Sequence, residues 1–218
     1  MKTICGVDEA GRGPVLGPLV MAGILIEEKE VKKLTNLDVK DSKLLTEIQR
    51  NQLFPKIKEA VKKHKIITVE PKEIDDAVND KELNLNWLEA HKSAEIINTL
   101  NPDKAIVDCP SANVEAYKDY LQNLIKNKNT ELIVEHKADE NYPEVSAASI
   151  LAKVTRDKEI EQIKKKYGDV GPGYPSNEIT QKFLKENWDK CPEIFRRSWT
   201  SYKRIEKEQM QSSLNDFD

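Results

Sequence analysis

The chain has 218 residues, and its 35 Lys and Arg against 38 Asp and Glu give a formal net charge of −3. This length fits one compact unit with a small appendage, and the overall charge gives no general support for nucleic-acid binding, so such a function would need a local basic patch. The longest strongly apolar run, Pro18 to Ile26, is too short to span a bilayer, and the three cysteines form no CxxC pair. The composition therefore argues against membrane, secreted and zinc-finger classes and predicts a cytoplasmic protein, with a monomer as the default oligomeric state.

Short apolar runs predict five strands. In chain order they are Ile4–Val7, Leu19–Ile26, Ile66–Val69, Ala105–Val107 and Leu132–Val134. Apolar residues at three- and four-residue spacing predict helices. These cover Thr46–Lys63, Leu85–Leu100, a run that begins after Ser111, Val145–Tyr167 and Asn177–Trp188. The order of three strands followed by alternating strands and helices indicates an α/β fold, with a mixed five-stranded sheet flanked by helices.

Acidic residues follow three of the predicted strands. Asp8 and Glu9 end the first, Asp108 ends the fourth, and Asp139 comes a few residues after the fifth. In open α/β sheets ligands bind where strands end, so these carboxylates can meet at one place. Clustered carboxylates repel one another, and a bound Mg²⁺ or Mn²⁺ removes that cost. The alternative for each acid alone is a turn residue or a helix N-cap.

One local feature complicates this interpretation. Asp8 and Glu9 are adjacent, so in a regular strand their side chains point to opposite faces, and both reach one site only if the strand ends or twists at Glu9. The glycines that follow make such a twist feasible. They do not form a dinucleotide-binding loop, because the spacing of Gly11, Gly13 and Gly17 is one residue too long for GxGxxG.

The segment from Asp8 to Pro14, Asp-Glu-Ala-Gly-Arg-Gly-Pro, resembles a motif of type 2 ribonucleases H, specifically ribonuclease HII of the archaeal kind. Further matching segments follow in the same order across residues 3 to 200. They are residues 39–43 (Val-Lys-Asp-Ser-Lys), 107–108 (Val-Asp), 136–139 (His-Lys-Ala-Asp), 142–153 (Tyr-Pro through Ala-Lys) and 173–176 (Gly-Tyr-Pro-Ser). The resemblance implies a ribonuclease H-like fold with a small C-terminal helical extension.

The resemblance also implies a metal-dependent endonuclease that hydrolyses RNA in RNA–DNA hybrids. It would cut 5′ of ribonucleotides embedded in duplex DNA and leave a 3′-hydroxyl and a 5′-phosphate. The family carboxylates fall on Asp8, Glu9, Asp108 and Asp139, which would hold two Mg²⁺ or Mn²⁺ ions. Two alternatives stay open: a nuclease of the same fold that cuts plain DNA, and a hybrid-binding module without catalytic activity.

Substrate contacts carried over from the family centre on the ribonucleotide. Gly11, Arg12 and Gly13 would contact the 2′-hydroxyl and the adjoining phosphate largely through backbone groups, and Tyr174 would pack on the neighbouring sugar. Candidate phosphate contacts are Ser42, Lys43, Lys137, Ser149, Lys153 and Arg156. Arg196 and Arg197 would extend this basic track. Solvated surface charges for the lysines and a core-edge position for the tyrosine remain the alternatives.

The last residues resemble the peptide motif that docks on the PCNA sliding clamp. Gln211, Leu214 and Phe217 have the motif's three-residue spacing, but Asp218 stands where a second aromatic is usual, which predicts weaker binding. A polar tail is the alternative.

Along the whole chain we expect three segments: a catalytic domain over residues 1–172, a helical region over 173–204 that completes the substrate groove, and a tail over 205–218 where apolar periodicity ends.

Overall fold

The computed structural model describes residues 1–37, 39 and 45–215, with only the backbone described for residues 212–215. Within these ranges the strands are β1 (Thr3–Ala10), β2 (Leu19–Glu27), β3 (Lys63–Val69), β4 (Lys104–Asp108) and β5 (Glu131–Glu135). The α-helices are α1 (Val31–Asn36), α2 (Glu47–Ala60), α3 (Pro71–Asn79), α4 (Leu85–Leu100), α5 (Val114–Leu124), α6 (Ala138–Asn141), α7 (Pro143–Tyr167), α8 (Glu178–Asn187) and α9 (Thr200–Asn215). None of these helices is both long and apolar enough to cross a bilayer.

The five strands form one mixed sheet in the order β3-β2-β1-β4-β5. β1 pairs antiparallel with β2, whereas β4 lies parallel to both β1 and β5. The parallel pairs need crossover connections, which the helices between these strands supply. The structure thus confirms the five-stranded mixed sheet with flanking helices that the sequence predicts.

The chain divides into two compact units, neither of which is a continuous stretch. The first unit comprises residues 1–10, 20–68 and 85–156, and the second comprises residues 11–19, 69–84 and 157–218. These units follow packing rather than chain order, and the three-segment division along the chain stays a prediction.

Each unit has its own apolar core. In the first unit β2 packs against α1, α2 and α7; the buried residues include Ile24, Ile26, Leu34, Ile57, Ile150 and Leu151. In the second unit the residues before β2 pack against α8, α9 and the end of α7; the buried residues include Val15, Leu16, Ile160, Phe183, Phe195 and Tyr202. Burial of such side chains is the main favourable contribution to folding.

The start of α7 lies unusually close to the middle of β1. A Cβ atom built on Gly6 would lie 2.3 Å from the backbone carbonyl carbon of Glu144 and 2.5 Å from the backbone nitrogen of Val145. Only glycine permits this approach of a strand to a helix backbone. The contact seats α7 on the sheet directly beside the strand that carries Asp8 and Glu9.

Helix boundaries differ from the sequence-based expectations at three places. The helix predicted to reach Lys63 ends at Ala60, because the Lys62 N–H donates to the Leu25 carbonyl at 2.8 Å and the chain has already joined the sheet. α3 was not predicted, although the proline at its first position is a typical helix start. The segment expected to be a tail from Ile205 is instead part of α9, which is helical as far as Asn215, and Ile205 itself is buried in the core of the second unit.

Candidate active site

The strand register places two predicted acidic residues at the same edge of the sheet. Val7 pairs with Val107, and Val107 pairs with Val134. Asp8 and Asp108 each directly follow a residue of this paired row, so their backbones are neighbours at the carboxyl edge of the parallel strands. This is the edge at which α/β sheets bind ligands.

The structure brings three of the predicted carboxylates together. Ligand oxygen atoms of Asp8, Glu9 and Asp108 all lie within 4.8 Å of one another, with Asp8 buried and the other two half-buried. The Asp8 carboxylate accepts a hydrogen bond from the Glu9 backbone N–H at 2.7 Å. Although β1 continues to Ala10, its pairing with β4 ends at Val7. Two adjacent strand residues can thus contribute to one cluster.

Asp139 is held by a turn that Asp108 stabilises. The Asp108 carboxylate accepts a hydrogen bond from the Ala138 N–H at 2.8 Å, at the start of α6. Lys137, just before that helix, has a left-handed backbone conformation with φ of 59°. Asp139 is 4% exposed and is not among the residues of the 4.8 Å group. Its negative charge nevertheless reaches the cluster, since it raises the pKa of Asp8.

The cluster carries negative charge that the fold itself makes costly. The pKa of Asp8 is raised to about 7, chiefly by burial and further by repulsion from Asp108 and Asp139. Hydrogen bonds from the Ser149 side chain and the Glu9 N–H oppose it by stabilising the carboxylate. Buried like charges with an oxygen-only donor set fit a divalent cation, which would replace the proton and neutralise the repulsion. The residues present therefore fit the metal that the sequence predicts.

The predicted ribonucleotide-binding residues lie together in the second unit. A Cβ atom built on Gly13 would lie 3.9 Å from Cε1 of Tyr174, whose side chain is exposed. The Val15 N–H donates to the Gly173 carbonyl at 2.9 Å, which ties the glycine-rich segment to the turn that carries Tyr174. Gly11 has a φ of 83°, a conformation that favours glycine.

The predicted phosphate contacts have varied surroundings. Lys137 is mostly exposed and forms an ion pair with Glu140 at 3.3 Å. Lys153 is half-buried. Ser149 and Arg156 are buried, at 1% and 5% exposure, and the Ser149 hydroxyl donates to Asp8. Direct phosphate contacts by these residues stay predictions.

Several predicted residues fall outside what the structure describes. Ser42 and Lys43 lie outside the described residues, as does Phe217 in the proposed clamp motif. Of the other two motif positions, Gln211 is exposed on α9, and Leu214 is described through its backbone alone.

One sequence-based expectation was wrong. Arg196 was expected to extend a surface basic track, but its side chain is fully buried, at 0% exposure. Its guanidinium donates to backbone carbonyls of the glycine-rich segment instead. A buried arginine whose acceptors are carbonyls about 180 positions away leaves no local signal in the sequence.

Comparisons with known proteins agree on one family. The family model described as Ribonuclease HII matches residues 5–202. Ribonuclease HII of Pyrococcus furiosus is 46% identical over 210 residues, covering 94% of this chain and 91% of that protein. The crystal structure of ribonuclease H2 from Pyrococcus horikoshii OT3 superposes with a TM-score of 0.87 at 42% identity, covering 94% of this chain and 98% of that one.

A second solved structure contains a partner protein. The structure of the PCNA:RNase HII complex from Archaeoglobus fulgidus matches with a TM-score of 0.82 at 38% identity, covering 91% of this chain and 95% of that one. Both solved structures confirm the fold class that the sequence predicts.

Proposed function

The chain belongs to the ribonuclease HII family and is accordingly a metal-dependent endoribonuclease, and we propose that Asp8, Glu9, Asp108 and Asp139 hold its divalent cations. The observation that supports this assignment is the cluster of three carboxylates within 4.8 Å at the carboxyl edge of β1 and β4. Asp139 contributes its charge to the same group. We infer that the site takes two Mg²⁺ or Mn²⁺ ions, because all of its donors are carboxylate oxygens.

The reaction is hydrolysis of a phosphodiester bond. Water oxygen bonds to phosphorus while the bond from phosphorus to the 3′ oxygen of the preceding nucleotide breaks, so that nucleotide keeps a 3′-hydroxyl and the ribonucleotide keeps a 5′-phosphate. When bound, divalent cations polarise the attacking water and neutralise charge on the phosphate and leaving oxygen. The chain's own part is to fix the carboxylates before substrate arrives, through the hydrogen bonds to Asp8 and Asp108.

Recognition of the sugar falls to the second unit. We infer that backbone groups of Gly11, Arg12 and Gly13 contact the 2′-hydroxyl and the adjoining phosphate, while the exposed ring of Tyr174 packs on a sugar. The 2′-hydroxyl is the group that distinguishes RNA from DNA at a given position, and it both donates and accepts. RNA–DNA hybrids and ribonucleotide-containing DNA are therefore the substrates we propose. We also propose that the protein works in the cytoplasm, where buried thiols such as Cys5 stay reduced.

Cleavage of defined duplexes tests this function. With Mg²⁺ or Mn²⁺ we expect a single cut 5′ of one ribonucleotide in a labelled DNA duplex, cuts within the RNA of a hybrid, and no cut in all-DNA duplex or in chelator. The products should be a 3′-hydroxyl and a 5′-phosphate, as seen by ligation. Comparable cleavage of all-DNA duplex would favour a DNA nuclease. Binding of hybrid by folded protein without cleavage in either metal would favour a module without catalytic activity.

We further propose that the C-terminal motif docks on a sliding clamp. The likeness to a ribonuclease HII solved with PCNA supports the proposal, as does the exposure of Gln211 near the end of α9. Leu214 and Phe217 would supply the apolar anchors for a pocket on the clamp.

Titration of a purified archaeal clamp tests the docking proposal. We expect the full chain to bind the clamp weakly, because Asp218 replaces the second aromatic anchor. A chain that ends at Glu208 and the variant Phe217→Ala should lose that affinity, with Asp216→Asn as a matched control in the same segment. Equal affinity of the full and shortened chains would remove the idea.

A further inference from the structure

A buried arginine holds the glycine-rich segment from behind. The Arg196 guanidinium, at 0% exposure, donates to the carbonyl of Gly11 at 2.6 Å, that of Arg12 at 2.8 Å and that of Gly17 at 3.0 Å. Its backbone N–H donates to the Val15 carbonyl at 2.8 Å. Burying a guanidinium is costly unless its donors are satisfied, so this arrangement strongly favours one conformation of the segment.

A tryptophan three residues further on holds the next carbonyl. The Trp199 indole N–H donates to the Gly13 carbonyl at 3.1 Å. The Arg196 guanidinium carbon lies 5.0 Å from the Trp199 ring centroid, within the range of a cation–π contact. These two side chains together fix the carbonyls of three consecutive residues, Gly11, Arg12 and Gly13.

The segment that carries both side chains, residues 196–199, is itself held by hydrogen bonds. The Asp75 carboxylate, on α3, accepts from the backbone N–H groups of Arg197 and Ser198, both at 2.8 Å, and from the Ser198 hydroxyl at 2.5 Å. Arg196 and Trp199 flank these two residues. Their donors are therefore presented from a fixed backbone rather than from a mobile terminus.

Fixing a carbonyl also fixes the amide that follows it. In a planar trans peptide the C=O of one residue and the N–H of the next point in opposite directions. Because the Gly11 and Arg12 carbonyls are directed at Arg196, the N–H groups of Arg12 and Gly13 are directed away from it. Pro14 follows Gly13 and has no N–H. The hydrogen bonds from Arg196 thus set the direction of two backbone donors in the segment assigned to ribonucleotide recognition.

We propose that Arg196 and Trp199 are positioning residues for ribonucleotide selection. Arg196, by holding the Gly11 and Arg12 carbonyls, aims the N–H groups of Arg12 and Gly13 that read the 2′-hydroxyl. Trp199, by holding the Gly13 carbonyl, fixes the residue that carries the second of these donors. The proposal rests on the proposed function of the segment from Gly11 to Gly13. It assigns a specificity role to a part of the chain far from that segment in sequence, with no side-chain contact to substrate required.

Two conservative variants separate this role from general support of the fold. Trp199→Phe keeps an aromatic ring beside Arg196 but cannot donate to Gly13. Arg196→Lys keeps the positive charge but loses the planar fork that reaches several carbonyls. The matched controls are Trp188→Phe, which alters a tryptophan of the same core, and Arg204→Lys, whose side chain is exposed.

The readout is a discrimination ratio. We would measure, in chelator, the dissociation constants for an all-DNA duplex and for the same duplex with one ribonucleotide, and divide the first by the second. A lost hydrogen bond corresponds to about a fivefold change, so Trp199→Phe should lower the ratio about fivefold by weakening the ribonucleotide duplex alone. Arg196→Lys should lower it by about tenfold or more. In cleavage the effect should appear in KM for the ribonucleotide duplex more than in kcat.

The outcomes distinguish the positioning role of Arg196 and Trp199 from the proposed function on which it rests. A ratio unchanged in Trp199→Phe, or a loss of affinity equal for both duplexes, would overturn the positioning role while wild-type discrimination stands. A wild-type protein that binds both duplexes equally would refute ribonucleotide recognition by the segment itself, and with it the positioning role of Arg196 and Trp199. If Arg196→Lys unfolds, Trp199→Phe alone decides.

Discussion

Replacing Asp8 with asparagine should lower the cleavage rate of a single-ribonucleotide duplex by on the order of a thousandfold, because divalent-cation catalysis contributes several kcal/mol of charge stabilisation. Asp8 is the most buried member of the carboxylate cluster and takes hydrogen bonds from Ser149 and the Glu9 N–H. Asparagine keeps the shape but removes the negative charge. Cleavage assays over a range of Mg²⁺ and Mn²⁺ concentrations would measure the loss.

The same variant should be more stable than the wild type when metal is absent. Burial raises the pKa of Asp8 from 3.8 to about 7, so the folded protein holds this proton more tightly than the unfolded chain does. The free energy of unfolding of the metal-free wild type therefore falls as pH rises from about 4 through 7. Asp8→Asn lacks this dependence, so its advantage should be absent at pH 4 and full above pH 8.

Adding metal should reverse the order. A cation that binds only the folded protein stabilises it by mass action, and the wild type should gain melting temperature with Mg²⁺ or Mn²⁺ at pH 8 while Asp8→Asn gains little. Asp119→Asn, an exposed acid on α5, is the matched control and should behave as the wild type in both assays. Equal stabilisation of wild type and Asp8→Asn by metal would contradict the assignment of Asp8 as a ligand.

The sequence was sufficient for the main elements of the carboxylate cluster. Asp8 and Asp108 could be grouped because each ends an apolar run, and parallel strands bring their carboxyl ends to one edge. The apparent obstacle, two adjacent strand residues reaching one site, is removed by an observation that sequence patterns do not contain. β1 loses its β4 neighbour after Val7, and the Asp8 carboxylate bonds the Glu9 N–H.

The support behind the glycine-rich segment could not be predicted in this way. From its residue type alone Arg196 is predicted to lie on the surface, since arginine is rarely buried. Its burial depends on carbonyls of Gly11, Arg12 and Gly17 that only the folded chain brings to it. Hydrogen bonds to backbone acceptors are independent of side-chain identity, so no residue pattern marks them.

The ends of helices were also beyond the sequence pattern. α9 continues past Ile205, the last buried side chain among those described on this helix, into a mostly polar stretch. Arg204 Nε and Glu208 Oε1, four residues apart on the helix, lie 3.9 Å apart across this point. A periodicity argument sees only apolar positions and therefore ends the helix too early. Such boundaries are set by local pairing and capping rather than by the core.

Gly6→Ala should destabilise the protein by about 3 kcal/mol or more, the upper end of what overpacking costs in a well-packed interior. The new methyl would fall 2.3 Å from the backbone carbonyl carbon and oxygen of Glu144. Backbone atoms cannot rotate away as a side chain can, so the start of α7 must move off β1. Urea unfolding with the linear extrapolation would measure the loss.

Gly13→Ala is the matched control for Gly6→Ala. Its added methyl meets nothing nearer than 3.9 Å, at a glycine without positive φ, so stability should be unchanged or slightly raised. Equal unfolding midpoints for the wild type and Gly6→Ala would contradict the close strand–helix packing.

The displacement of α7 in Gly6→Ala should also act on the carboxylate cluster, because α7 carries Ser149 and a shifted helix weakens its hydrogen bond to Asp8. A Gly6→Ala protein that still folds should therefore need a higher pH to bind its metal, since the bond lost is one that lowers the pKa of Asp8.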